Sequence, residues 1–246
     1  MSESRRLAYL QRMGIQVWES RVPGAFAPDL EFAEPDESCA PALEPESEPA
    51  AMPVAIDFPH CASNWDDLAA QVAGCTRCPL HQGRTRTVFG RGAREAEWMF
   101  IGEAPGEQED LQGEPFVGRA GQLLDEMIRA LGLGREEVYI ANVLKCRPPK
   151  NRDPAPDEAA ACEGYLKAQL ALVQPKIILA VGRIAAQNLL KTASPIGKLR
   201  GQVHDYANIP LIVSYHPAYL LRSQTEKRRA WEDLKLALRT FREQAP

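Results

Sequence analysis

Four cysteines constrain the fold of this chain more than any other feature of the sequence. They stand in the pattern C-x2-C-x67-C-x15-C, as Cys75, Cys78, Cys146 and Cys162. Four thiolates from distant segments can hold a metal centre, and zinc and iron–sulfur both accept such a set. If they meet, the segment before the first predicted strand must pack against the loop that follows the second strand.

The charge of the chain is unevenly distributed. The formal net charge is −4, yet residues 24–60 hold nine acidic residues, seven prolines and no lysine or arginine. Such a composition buries too little apolar surface to offset chain entropy, so we expect a disordered linker there. Residues 1–23 form a short amphipathic docking peptide, and residues 61–246, with a net charge of +3, form the folded domain.

The expected cellular compartment is inferred from two features that the sequence does not show, a membrane span and a signal peptide. No apolar run reaches the length of a membrane span, and the N-terminus has no signal-peptide pattern. We therefore expect a cytoplasmic, monomeric protein without membrane contact. In a reducing compartment, clustered cysteines indicate a metal site or catalysis more often than disulfides.

Short apolar runs alternate with helical patterns along the folded domain. The predicted strands are residues 98–102, 138–143, 176–182 and 210–215, and the predicted helices are residues 65–72, 122–131, 157–173, 183–190 and 227–241. This alternation is typical of an α/β domain with a mostly parallel sheet. We predict a three-layer α/β/α sandwich around a central sheet of four strands.

Glycine and polar residues follow all four predicted strands, at residues 102–110, 142–147, 182–183 and 215–217. Ligands of open α/β sheets bind at the carboxyl ends of the strands, so we expect a site there. Basic residues near the same ends suit contacts with a phosphate backbone. These basic residues are Lys145, Arg147, Lys198, Arg200 and Arg222.

Five motifs together carry a family resemblance. They are CTRCPL at 75–80, GEAPGEQED at 102–110, PFVGRAGQLLD at 115–125, NVLKCRPPKNR at 142–152 and HPAYLLR at 216–222. With Cys162, they make residues 66–241 resemble the family 4 uracil-DNA glycosylases, the iron–sulfur branch of that superfamily. The resemblance implies excision of uracil from DNA and a [4Fe–4S] cluster on Cys75, Cys78, Cys146 and Cys162. The cluster would be structural and would order the loop at 145–152 beside the DNA.

The resemblance also implies the residues that bind uracil. A uracil inside a duplex must be flipped into a pocket before its glycosidic bond can be reached. Gly102 and Phe116 would line that pocket, and the Phe116 ring would stack on the base. Asn142 would offer its carbonyl and amide to the polar edge of uracil, and His216 would reach O2 and stabilise the negative charge of the departing base.

The water-activating group is less directly implied. The best-known branch of the superfamily has an Asp and a Tyr at the positions that correspond here to Ala104 and Gly106. The candidates for placing the water are therefore Glu103, Glu109 and Asn151. A related branch traps uracil-DNA covalently through a histidine in an inserted loop, and residues 147–152 contain no histidine. We therefore predict turnover without a covalent adduct.

The turn after His216 indicates a wedge. Leu220 and Leu221 offer an apolar side chain for the space that a flipped base leaves, and Arg222 follows at phosphate distance. The alternative interpretation is an ordinary helix start with Leu221 in the core.

A second resemblance concerns the N-terminus. Residues 5–18 are similar to the N-terminal peptide of the psi subunit of the bacterial clamp loader. This predicts that the segment from Arg5 to Arg21 tethers the enzyme to the replisome through the linker. Two further interpretations of the whole chain stay open: a non-catalytic nucleic-acid-binding scaffold with a metal staple, and an enzyme that acts on free bases.

Overall fold

The computed structural model describes Arg12 and residues 64–244. The predicted linker and, apart from Arg12, the predicted docking peptide lie outside the described residues. Within the described part of the chain, no helix is long and apolar enough to cross a membrane.

A six-stranded mixed sheet forms the centre of the fold. Its strands are β1 (Arg91–Gly92), β2 (Trp98–Gly102), β3 (Tyr139–Asn142), β4 (Ile177–Val181), β5 (Val203–Tyr206) and β6 (Ile209–Ser214). They lie in the order β1-β3-β2-β4-β6-β5. The inner four are parallel, while β1 and β5 pair antiparallel at the two edges.

The α/β sandwich predicted from the sequence is confirmed, and the four inner strands agree with the predicted ones to within one residue at each end. The sequence did not predict the two edge strands. β1 has only two residues, and β5 alternates exposed and half-buried residues. Neither one has the continuous apolar run that marks a strand buried on both faces.

Eight helices in the described residues surround the sheet. They are α1 (Trp65–Ala73), α2 (Glu107–Gln112), α3 (Arg119–Leu131), α4 (Pro156–Val173), α5 (Arg183–Leu190), α6 (Ile196–Leu199), α7 (Pro217–Arg222) and α8 (Lys227–Glu243). The apolar residues of α3 recur on one face of the helix, and that face packs against the sheet. α3 ends at Gly132, whose φ of 88° suits a left-handed C-cap.

Both faces of the sheet are apolar. Trp98 and Phe100 of β2 pack in one cluster with residues of α3 and α8, while Met99 and Ile101 pack in another with residues of α4 and α5. Successive strand residues point to opposite faces, so the helices form one layer on each side. This layering brings the carboxyl ends of the four parallel strands to one edge.

Candidate active site

A cavity of about 400 Å³ opens at the carboxyl edge of the sheet. Its walls come from segments that are far apart in sequence: the residues after β2 and β3, the loop before α3, and the start of α7. Six of the residues predicted to bind uracil or to act in catalysis line it. They are Glu103, Glu109, Phe116, Asn142, Asn151 and His216.

Gly102 and Asn142 lie side by side at the ends of β2 and β3. The Asn142 side chain is only 2% exposed, and its Oδ1 has no hydrogen-bond partner among the described residues. Leaving a buried amide oxygen unpaired costs about 1–3 kcal/mol, which indicates a position prepared for a ligand donor. A Cβ on Gly102 would lie 2.4 Å from that oxygen and 2.7 Å from Cζ of Phe116, so only glycine lets these two side chains pack this closely against β2.

Phe116 is held in an unusual backbone conformation. Its φ is 54°, a left-handed value that non-glycine residues rarely adopt. A Cβ at Gly121 of α3 would lie 1.7 Å from the Phe116 carbonyl oxygen, so only glycine allows the helix to approach this closely. The buried Phe116 ring faces the His216 ring at a centroid distance of 5.7 Å with 30° between the planes.

Glu109 fixes the loop that carries Phe116. Its Oε1 accepts hydrogen bonds from the backbone amides of Val117 at 3.1 Å and Gly118 at 3.3 Å. Glu109 also lines the cavity. The carboxylate of Glu109 therefore positions the loop that carries Phe116.

His216 is the N-cap residue of α7. Its Nδ1 accepts a hydrogen bond from the backbone amide of Ala218 at 3.1 Å. Burial, with a smaller contribution from the charge of Arg222, lowers the pKa of His216 to about 4. The imidazole is therefore neutral at pH 7, and because Nδ1 accepts, the ring hydrogen is assigned to Nε2, which can donate.

Glu103 follows β2 and has a perturbed carboxyl group. Burial, followed by the negative charge of Asp153, raises its pKa to about 7, and the charge of Arg183 opposes that rise. Asp153 and Arg183 pair with each other at 2.6 Å. A carboxyl group with a pKa near neutrality can exchange a proton at physiological pH, as a general base requires.

Asn151 lies in the loop between β3 and α4. Its side chain is exposed, and Oδ1 accepts a hydrogen bond from Nε of Arg147 at 2.8 Å. Both Lys150 and Asn151 have a φ of 54°. The loop therefore turns sharply at the mouth of the cavity.

The four cysteines converge beside this site. Cys75 and Cys78 follow α1, Cys146 follows β3, and Cys162 lies in α4; all are free thiols that line one small cavity. Burial raises the pKa of the Cys78 and Cys146 thiols, and it raises the pKa of Cys162 to about 11. In the described residues, no group of three or more Cys, His, Asp or Glu side chains is arranged to hold one metal ion.

The comparisons with known proteins agree with this geometry. Residues 89–235 match the family model described as the uracil DNA glycosylase superfamily. This chain belongs to that superfamily. A type-4 uracil-DNA glycosylase of Archaeoglobus fulgidus is 47% identical over 164 residues, which cover 63% of this chain and 82% of that protein. A type-4 enzyme of Thermotoga maritima is 45% identical over 175 residues, covering 69% and 91%. A type-5 enzyme of Pyrobaculum aerophilum is 29% identical over 195 residues, covering 65% and 86%.

Three of the residues predicted to contact DNA are buried or bonded within the protein. Lys145 is only 1% exposed, and its Nζ donates to the Asn142 carbonyl and to Oε1 of Gln169, so it does not reach a phosphate. Arg200 is bound to both carboxylate oxygens of Asp233, at 2.9 and 2.7 Å. Leu220 is 1% exposed within the core, which excludes it as a wedge.

The remaining predicted contacts lie on the surface or at the cavity mouth. Lys198 and Arg222 are exposed, and Arg222 lines the cavity. Arg147 is half-buried and bonded to Asn151. Leu221, in α7, is partly buried against the core, so part of its side chain remains accessible.

Sequence reasoning missed two residues that connect the cysteine segment to the site. Arg84 donates to Sγ of Cys146 at 3.2 Å and to the carbonyls of Cys75 and Ala73 at 2.8 and 3.0 Å. The buried carboxylate of Asp110, in α2, accepts from the backbone amide of Thr85 at 3.0 Å. Asp110 could have been found from its place in the motif at 102–110. Nothing in the sequence distinguishes Arg84 from other charged residues in loops.

Proposed function

We propose that this chain is a type-4 uracil-DNA glycosylase, which flips uracil out of DNA and hydrolyses its N-glycosidic bond to leave an abasic site. The observation that carries the proposal is the unpaired, buried Oδ1 of Asn142. It lies against Gly102 and next to Phe116, and both Asn142 and Phe116 line the cavity. The family and the names of the similar proteins point to the same chemistry.

Asn142 selects uracil through the polarity of its amide. Oδ1 accepts from N3–H of uracil, and the side-chain NH2 donates to O4. Cytosine presents an acceptor at N3 and an amino group at position 4, so both pairings would be lost. Each buried polar group left unpaired costs about 1–3 kcal/mol, which is sufficient to reject the normal base.

His216 stabilises the departing base. The electron pair of the C1′–N1 bond moves onto uracil, and negative charge develops on O2. The Nε2–H of the neutral imidazole donates to that oxygen, while the Nδ1 contact with Ala218 fixes the ring. A donor that is already oriented stabilises the transition state without reorganisation.

Glu103 is our candidate for activating the water. The sugar becomes cation-like at C1′ as uracil leaves. A water molecule then forms the new C1′–O bond, and its proton passes to the carboxylate of Glu103. Asn151 lies at the cavity mouth and helps to place that water, and Glu109 acts mainly by holding the Phe116 loop.

DNA lies across the cavity mouth in this proposal. Arg147, Lys198 and Arg222 contact phosphates, and Leu221 fills the space that the flipped nucleotide leaves. The clamp-loader contact from Arg5 to Arg21 stays a prediction, as do the monomeric state and the assignment of residues 61–246 as one glycosylase domain.

The cysteine set fits a [4Fe–4S] cluster held by Cys75, Cys78, Cys146 and Cys162. The donors are four thiols that line one cavity, the set that such clusters use. Each of the four cysteines would contribute one thiolate to the cluster. When bound, it would supply a structural link between α1, the loop after β3 and α4.

The test is strand breakage at an abasic site. An oligonucleotide with one uracil is incubated with the protein and then heated in alkali, which cleaves the strand only where a base has been lost. We expect a break at the uracil position and none in matched oligonucleotides with cytosine or thymine there. An intact uracil strand would instead favour the non-catalytic scaffold.

A further inference from the structure

Lys145 and Arg84 are two of the basic residues that border the cysteine cavity, beside Arg77 and His81. Lys145 and Arg84 both line that cavity, together with the four cysteines. The Nζ of Lys145 is bonded at 2.8 Å to the Asn142 carbonyl and at 2.6 Å to Oε1 of Gln169, and both acceptors are neutral. Among the described residues, neither Lys145 nor Arg84 forms an ion pair with Asp or Glu.

This arrangement differs from the way the rest of the chain buries charge. Arg200, with a side chain 11% exposed, is paired with the fully buried Asp233 at 2.7 Å. Glu158 is close enough to influence Cys78, but its two oxygens are occupied by Arg152 at 2.6 and 2.8 Å. A buried ammonium with only neutral partners is strongly disfavoured, and a nearby anion would offset that cost.

Cluster-bound thiolates would supply the missing negative charge. Arg84 donates directly to Sγ of Cys146, and Lys145 lines the same cavity as the four cysteines. A [4Fe–4S] core bound by four thiolates is a net anion, and nearby charges and hydrogen bonds to sulfur tune such a centre. Lys145 and Arg84 therefore lie where positive charge would stabilise an anionic cluster.

We propose that Lys145 and Arg84 are the counter-charges of the cluster, and that they set its reduction potential and its retention in the protein. This inference rests on the [4Fe–4S] centre proposed above. Lys145 has a second effect, because its bond to the Asn142 carbonyl joins the cluster environment to the residue that recognises uracil. Gln169 extends this network to the hydroxyl of Tyr139 at 3.0 Å.

The decisive comparison is between Arg84→Gln and Arg84→Lys in the full-length chain. Both variants lose the guanidinium fork to Cys75 and Ala73, but only the lysine keeps the positive charge. Reduction potential is measured by voltammetry, and retention by the rate at which a chelator removes iron. We expect Arg84→Gln to shift the potential to more negative values and to lose iron about 10-fold faster or more. Arg84→Lys should stay close to wild type in potential.

Lys145→Met provides the second arm, since methionine preserves length without charge. It should also lower the potential, whereas Lys235→Met, which removes a surface lysine of α8 paired with Glu232, should not. If Lys145→Met does not fold, the Arg84 pair decides alone. Wild-type potentials in Arg84→Gln, or equal shifts in Arg84→Gln and Arg84→Lys, would overturn the counter-charge proposal alone. Wild-type protein without iron and sulfide would overturn the proposed cluster as well.

Discussion

Replacing Asn142 by leucine tests uracil recognition with little disturbance of the fold. The Asn142 side chain is 2% exposed, and its Oδ1 makes no hydrogen bond within the described residues. Leucine has a similar volume, so the free enzyme should keep its melting temperature. In the complex, N3–H and O4 of uracil would both be buried without a partner.

The size of the effect follows from those two groups. At about 1–3 kcal/mol each, the loss is about 2–6 kcal/mol, or about 30-fold to about 10⁴-fold in kcat/KM. The assay is single-turnover cleavage of a uracil-containing strand, with thermal unfolding measured on the same samples. Asn142→Asp is the matched variant: a carboxylate accepts only, so activity should shift from uracil towards cytosine. Activity of Asn142→Leu within threefold of wild type would refute this account of recognition.

The remaining predictions follow from the site. His216→Leu removes the Nε2 donor and should lower kcat by about 10²-fold to 10³-fold, measured under saturating DNA. Glu103 must be deprotonated to accept a proton, so kcat/KM should rise with pH through about 7. Asp153→Asn removes a charge that raises the pKa of Glu103, so the rise of kcat/KM should move to lower pH. A rise at the same pH as in the wild type would show that Glu103 is not the base. Asp110→Ala leaves the Thr85 amide without its acceptor and should cost about 1–3 kcal/mol of unfolding free energy in denaturant titrations. A denaturing gel should show no protein–DNA adduct, and a band resistant to denaturation would contradict turnover.

The parallel strands could be predicted because both of their faces are buried. Trp98 and Phe100 face one helical layer and Met99 and Ile101 the other, so β2 reads as an unbroken apolar run. The edge strands carry no such signal. β5 exposes alternate residues, a pattern that loops and surface strands share.

The site was predictable where a residue follows directly from a strand. Asn142 is the last residue of β3, and His216 follows β6 by two residues, so topology alone brings them to one cavity. Side-chain direction was not predictable in the loop after β3. Lys145 and Arg147 are both basic and two residues apart, yet Lys145 turns inward to Gln169 of α4 while Arg147 turns to Asn151. That difference depends on the packing of α4, which local sequence does not encode.

Arg200 and Leu220 show the same limit. A basic residue in a turn and a leucine after a histidine suit DNA contacts, but here they pair with Asp233 and fill the core. Arg200 contacts Asp233 of α8, 33 residues away along the chain, and Leu220 packs in the core. Long-range partners of this kind become visible only in the folded structure.

The identity of the released product tests the central claim most directly. A strand with a single uracil is incubated with the purified chain, and the small molecules are analysed by mass spectrometry before any alkali is added. Hydrolysis of the N-glycosidic bond predicts free uracil in a one-to-one ratio with abasic sites, with the phosphodiester strand intact. Release of a nucleoside or nucleotide, or no release of uracil, would contradict the assignment as a uracil-DNA glycosylase.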